Sequence, residues 1–215
     1  MSAAFEKLVH IPVDHVYIEG MLSLPEHARG VIIFAHGSGS SRHSTRNNYV
    51  AAVLRNAGLG TLLLDLLTQE EDLDYQTRFD IPLLTRRLLA ATQWLKTDNT
   101  LLQLPVGYFG ASTGAAAALL AATDPDNKIG AVVSRGGRPD MASALTLSQV
   151  ACPTLLIVGG LDDVVIELNK EAYQNMHCTK HLTIIPGATH LFEEAGTLEK
   201  VASLACEWFK QYLLV

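Results

Sequence analysis

The hydrophobic residues of this chain fall into short continuous blocks separated by amphipathic stretches. Val31-Ile32-Ile33-Phe34-Ala35, Thr61-Leu62-Leu63-Leu64, Val106-Gly107-Tyr108-Phe109, Ile129-Gly130-Ala131-Val132-Val133, Thr154-Leu155-Leu156-Ile157-Val158 and Leu182-Thr183-Ile184-Ile185 carry almost no polar alternation. In the first two blocks this is the pattern of strands buried in a parallel sheet, and the other four read as further strands. Between the blocks, apolar residues recur at helical spacing. Tyr49, Ala52 and Val53 mark a helix over 45–56 that Ala57-Gly58 stops, and Leu84, Leu88, Ala91 and Leu95 mark one over 81–96. Further helices are predicted over 166–176 and over 197–212, the latter with Val201, Leu204, Ala205 and Trp208 on one side. The alanine-rich run from Ala115 to Ala122 predicts a helix packed close against its sheet. Ahead of these, Val13, Val16, Ile18, Met21, Leu22 and Leu24, interrupted at Glu19-Gly20, predict a short antiparallel hairpin over 11–24. The acidic segment from Gln69 to Asp74 reads as a loop.

Strands alternating with helices imply an α/β fold, a three-layer, doubly wound, mostly parallel sheet with right-handed crossovers. In such sheets ligands sit beyond the carboxyl ends of the strands. Candidate chemistry is concentrated there: His36 and the glycines after it, Asp65, Ser112, Arg135, Asp162 and His190 each follow or end a predicted strand.

Length and charge narrow the picture. With 215 residues and 48% hydrophobic content the chain suits one domain, read as residues 1–215. A net charge of −6 and a pI near 5.7 argue against nucleic acid or an anionic membrane as the main partner. The first seven residues lack the apolar core of a signal peptide, and no apolar stretch is long enough to span a bilayer, so the expectation is a soluble, cytoplasmic protein. Cys152, Cys178 and Cys206 are odd in number and widely spaced, which suits neither a disulfide framework nor a zinc site and predicts buried free thiols.

The strongest motif is Gly110-Ala111-Ser112-Thr113-Gly114, set between a strand and a helix. A strand, a glycine-flanked serine and a helix in that order form a nucleophile elbow. The turn strains the serine backbone, and side chains at the flanking positions would collide with neighbouring elements. The N–H of Thr113, at the positive end of the following helix, can stabilise a developing oxyanion. A serine hydroxyl also needs a base and a carboxylate to orient that base. His190 follows the last strand and Asp162 the one before it, giving the order Ser112, Asp162, His190. Asp163 is the competing acid, and whichever aspartate does not serve is read as a surface or helix-capping residue. The turn His36-Gly37-Ser38-Gly39 supplies the second oxyanion donor, the N–H of Ser38 or of Gly39, while His36 is read as bonding the loop.

Gly37-Ser38-Gly39-Ser40-Ser41-Arg42 also approximates a dinucleotide-binding G-x-G-x-x-G, with Asp65 as the ribose ligand. Arg42 stands where that motif needs a small residue, so no cofactor is expected and Asp65 is read as a loop-bonding residue. Arg135 and Arg138 border the same rim and are candidates to bind a substrate carboxylate.

With elbow, acid, base and oxyanion loop in order, the chain resembles an α/β-hydrolase over residues 11–215, and most nearly the small, lidless dienelactone-hydrolase-like branch. Gly159-Gly160-Leu161-Asp162 and Gly187-Ala188-Thr189-His190 join the two glycine-rich motifs in carrying that resemblance. It implies an acyl-enzyme mechanism on an ester-like bond. Dienelactone hydrolases proper use a cysteine nucleophile where this chain has Ser112, which points away from dienelactone and toward a general carboxylesterase or related acyl hydrolase. Only about twenty residues separate Val133 from Thr154, where larger relatives insert a cap, so small or short-chain esters, thioesters or lactones are the expected substrates. The competing readings are an acyltransferase on the same fold and a binding module whose triad is vestigial.

Overall fold

The computed structural model describes residues 5–214. Eight strands form one sheet: β1 (Phe5–Val13), β2 (Val16–Leu24), β3 (Val31–Ala35), β4 (Gly60–Leu64), β5 (Val106–Ala111), β6 (Ala131–Arg135), β7 (Thr154–Gly159) and β8 (Lys180–Ile185). Their order is β1-β2-β4-β3-β5-β6-β7-β8. β1 and β2 pair antiparallel, β2 meets β4 antiparallel, and every later pairing is parallel. β3 to β7 are buried along their whole length, as their unbroken apolar composition requires.

Six α-helices lie among the described residues: α1 (Thr45–Asn56), α2 (Ile81–Leu95), α3 (Thr113–Ala121), α4 (Ala144–Gln149), α5 (Asp163–Asn175) and α6 (Thr197–Leu213). Ser44 caps α1 by accepting from the Asn47 N–H, and Asp80 caps α2 by accepting from the Leu83 N–H. One face of the sheet packs on α1 and α6 through Ile32, Phe34, Phe109, Val133, Val50, Leu54, Val201 and Phe209. The other packs on α2 and α3 through Ile33, Tyr108, Val132, Leu84, Leu88 and Ala116 to Leu119. Tyr108 is buried whole, and its hydroxyl is satisfied by Thr92 Oγ1 at 2.7 Å. The three-layer α/β arrangement follows, with no separate cap domain among the described residues.

Four local expectations change, the first at α1, whose buried face carries Val50, Ala51 and Leu54 where Tyr49, Ala52 and Val53 were expected. The hairpin turn lies at Asp14-His15, where Asp14 takes φ 52°, and both strands are longer than expected. Gly20, read as an interruption, sits inside β2. A Cβ there would stand 2.9 Å from a Leu62 methyl of the neighbouring strand, so the glycine admits β4 instead of turning the chain. α5 begins three residues early, at Asp163, and the short α4 fills part of the β6–β7 connection.

Candidate active site

β5 delivers Ser112 at its carboxyl end with φ 50° and ψ −120°, a conformation that L residues adopt only under constraint. The flanking glycines supply it. A Cβ on Gly110 would lie 2.5 Å from Ala115 Cα, and one on Gly114 would lie 2.2 Å from the Ala35 carbonyl oxygen. The helix thus starts in contact with β3 and β5. Ser112 N–H donates to the Arg135 carbonyl at 3.2 Å, and its own carbonyl accepts from Arg138 N–H at 3.1 Å. Although Ser112 occupies the N-cap position of α3, its side chain makes no capping hydrogen bond.

The loop after β3 packs on this elbow, since a Cβ on Gly37 would come within 3.0 Å of Ser112 Cβ. His36 holds that loop. Its Nε2 accepts from Leu66 N–H at 3.0 Å, which leaves Nδ1 to carry the proton and donate to the Gly37 carbonyl at 2.9 Å. Burial pushes the His36 pKa below its ordinary value, so the imidazole is held neutral. Asp65 accepts from the Arg42 backbone N–H at 2.6 Å and pairs with the Arg42 guanidinium, which also meets Glu19. The carboxylate that a ribose ligand would need is committed to closing this loop. Ser38, Gly39 and Thr113 line one small cleft together with His36, Gly37, Leu67, Asp72, Arg78 and Leu84.

On the other side of the elbow, Asp162 and His190 meet. His190 Nδ1 and Asp162 Oδ2 are 2.6 Å apart, with the imidazole side chain 38% exposed and the carboxylate 16%. The turns that bring them there are joined by Gly160 N–H to the Ile185 carbonyl and by Leu161 N–H to the Ala188 carbonyl. Asp163 is the first residue of α5. Gly136 leaves room for the base: a Cβ there would touch the imidazole at Cε1, 3.4 Å away. Among the described residues the Ser112 hydroxyl has no hydrogen bond to His190; Asp162 and His190 are joined, and the chain at Arg135-Gly136 touches both sides, Arg135 through the Ser112 N–H and Gly136 beside the imidazole. Catalytic hydrogen bonds are often long in the absence of substrate.

The dienelactone hydrolase family profile matches residues 18–213. The chain belongs to the dienelactone hydrolase family. A dienelactone hydrolase structure from Anabaena variabilis is 54% identical, with a TM-score of 0.93, and the match covers 97% of this chain and 98% of that one. Est1E from Butyrivibrio proteoclasticus shares the fold at 17% identity, with a TM-score of 0.80 over 95% of this chain and 98% of its own. Two curated Mycobacterium tuberculosis proteins bearing a provisional phosphoribosyl transferase name are 58% identical over 205 residues. That match covers 95% of this chain and 46% of theirs, so the chain spans about half the length of the curated relatives it matches.

In this member of the dienelactone hydrolase family the two rim arginines part company. Arg138 spends its fork on Asp140, at 2.8 and 2.7 Å, and that bond raises its pKa, so it is not free for a substrate carboxylate. Arg135 is buried beside the elbow and has no ion pair among the described residues. Sequence reasoning missed Leu67, Asp72, Arg78 and Leu84. Asp72 comes from the segment read as loop, Leu67 and Arg78 flank it, and Leu84 lies near the start of α2; no spacing rule ties them to the turn at 36–39.

Proposed function

We propose that this protein is a serine hydrolase of small or short-chain carboxylic esters, thioesters or lactones. Ser112 Oγ attacks the carbonyl carbon while His190 Nε2 takes the hydroxyl proton, and Asp162 holds the resulting imidazolium through Nδ1. The N–H groups of Thr113 and Ser38 bear the oxyanion. The imidazolium returns its proton to the leaving oxygen or sulfur, the carbon–heteroatom bond breaks, and an acyl-Ser112 remains. Water attacks that acyl group with His190 again as base, releasing the acid and restoring the serine.

The observation that carries this reading is the backbone of Ser112. Its φ of 50° is combined with a ψ of −120°, a pairing that residues other than glycine adopt at a cost of about 1–3 kcal/mol, and the hydroxyl of this residue caps nothing. A serine serving as an ordinary turn or cap residue would have no reason to keep that conformation. The thiols offer no competing nucleophile. Burial pushes Cys152 up to about 12 and raises Cys178 and Cys206, and Cys152 precedes β7, at the end of the strand away from Asp162.

A fluorophosphonate probe tests the assignment. The wild-type protein is expected to be labelled, and Ser112→Ala, shown to be folded by circular dichroism, is expected to lose all labelling. Absence of labelling on folded wild-type protein would overturn the mechanism.

A further inference from the structure

Arg135 ends β6 on the sheet face that carries Ala131 and Val133, the face covered by α1 and α6. Only 7% of it is exposed, yet Nε and Nη1 are buried without hydrogen-bond partners. No acidic side chain pairs with it among the described residues. The Phe192 ring, two residues beyond His190, lies 5.9 Å from its guanidinium carbon. A cation–π contact of this kind offsets only part of what burying an unpaired ion costs. Burial and the nearby Arg46 charge push Arg135 down to about 10, so it is still cationic at neutral pH.

Arg46, in the first turn of α1, adds a second cation to this place. Its Nη1 pairs with Glu193 at 2.7 Å, and its Nε is buried and unpartnered. No acidic residue stands in that first turn, so the positive end of the α1 dipole, about half a charge, is uncompensated there. Among the described residues only one of these two guanidinium groups has an acidic partner, Arg46 with Glu193, and Arg46 itself stands at the N-terminus of α1. The excess is greater than one positive charge, and it adjoins the elbow, because the Arg135 carbonyl is the acceptor for Ser112 N–H.

We infer that Arg135 and Arg46 form a subsite for a phosphate monoester group carried by the substrate. A carboxylate brings one charge and two coplanar oxygens, which suit a single guanidinium fork. A phosphate monoester brings about −1.5 to −2 and three oxygens, which suit unpaired N–H groups from two separate side chains. The inference rests on the serine-hydrolase reading only for the statement that the bound group belongs to a substrate.

Calorimetric titration of the Ser112→Ala protein with inorganic phosphate tests the subsite without turnover. Saturable binding is expected, weakened roughly ten- to a hundredfold when Arg135→Gln is added, as loss of charge-assisted hydrogen bonds implies. It is expected to be retained when Arg138→Gln is added instead. A kinetic arm compares wild-type kcat/KM for three acetyl esters of matched alcohols ending in phosphate, carboxylate or a neutral hydroxyl, with the phosphate ester expected to lead by at least about tenfold. No phosphate binding by the folded Ser112→Ala protein, binding indifferent to Arg135→Gln, or a carboxylate ester equal to the phosphate ester would overturn the subsite. Phosphate binding by a protein that the fluorophosphonate fails to label would leave the subsite standing and remove the hydrolase reading.

Discussion

His36 ties the end of β3 to the chain leaving β4 through its bond to Leu66 and bonds its neighbour Gly37 with the other nitrogen, and only the neutral ring makes both, since Nε2 accepts from Leu66 N–H. Its folded pKa lies below the unfolded value because burial disfavours the charged form. The unfolded chain therefore binds the proton first. Stability from this group is fully present above the unfolded pKa, near 6.5, and is lost as pH falls through that value toward the folded pKa. Urea midpoints at pH 7.5 and 5.5 are expected to drop more for the wild type than for His36→Gln, and equal drops would show that His36 does not set the acid limb. Its loop-bonding part was legible from its place between a strand and a glycine turn. The tautomer was not, because Leu66 lies thirty residues away in sequence. Asp162 and Asp163 show the same divide: both follow β7, and the three-dimensional turn presents Asp162 to His190 while Asp163 opens α5.

At the scale of elements, β3 to β7 were legible because each carries an apolar block with little to alternate, while the edge strand β8 is mostly half-buried or exposed, and the helix stops carried their own signals. What escaped were features set by neighbours. Gly20 looks like a turn and is a contact with β4, and the segment 66–80, of which 69–74 reads as a loop, forms one wall of the cleft. The elbow lies between these cases. Its glycines were legible as a requirement, and the packing supplies the reason. Gly114→Ala is expected to destabilise by at least about 1–3 kcal/mol, the usual cost of overpacking, because the added Cβ would meet the Ala35 carbonyl at 2.2 Å, a backbone atom that cannot yield cheaply. Gly187→Ala is the companion variant. Gly187 has φ 74° but open space around its Cβ position, so only left-handed strain, about 1–2 kcal/mol, applies. Urea unfolding of both variants checks the order, and a smaller loss at Gly114 would contradict the contact argument.

For the whole molecule, the decisive feature is the connection between β6 and β7, which holds a short 3-10 turn at Pro139–Met141 and α4 and leaves the strand ends uncovered. Beside the turn at 36–39 lies the cleft that Gly37, Leu67, Leu84 and Thr113 help to line. Its volume is about 10 Å³, room for about one water. A pocket that buried each added methylene would gain about 0.8 kcal/mol per group, close to a fourfold rise in kcat/KM for every carbon. Walls this close offer no such burial, and a longer acyl chain must lie across the open rim. A series of p-nitrophenyl esters from acetate to octanoate is therefore expected to show kcat/KM highest at two to four carbons and flat or falling beyond. A sustained rise of about fourfold per methylene toward octanoate would mean that the 66–80 wall moves aside to make an acyl channel, and that the closed cleft does not set the specificity.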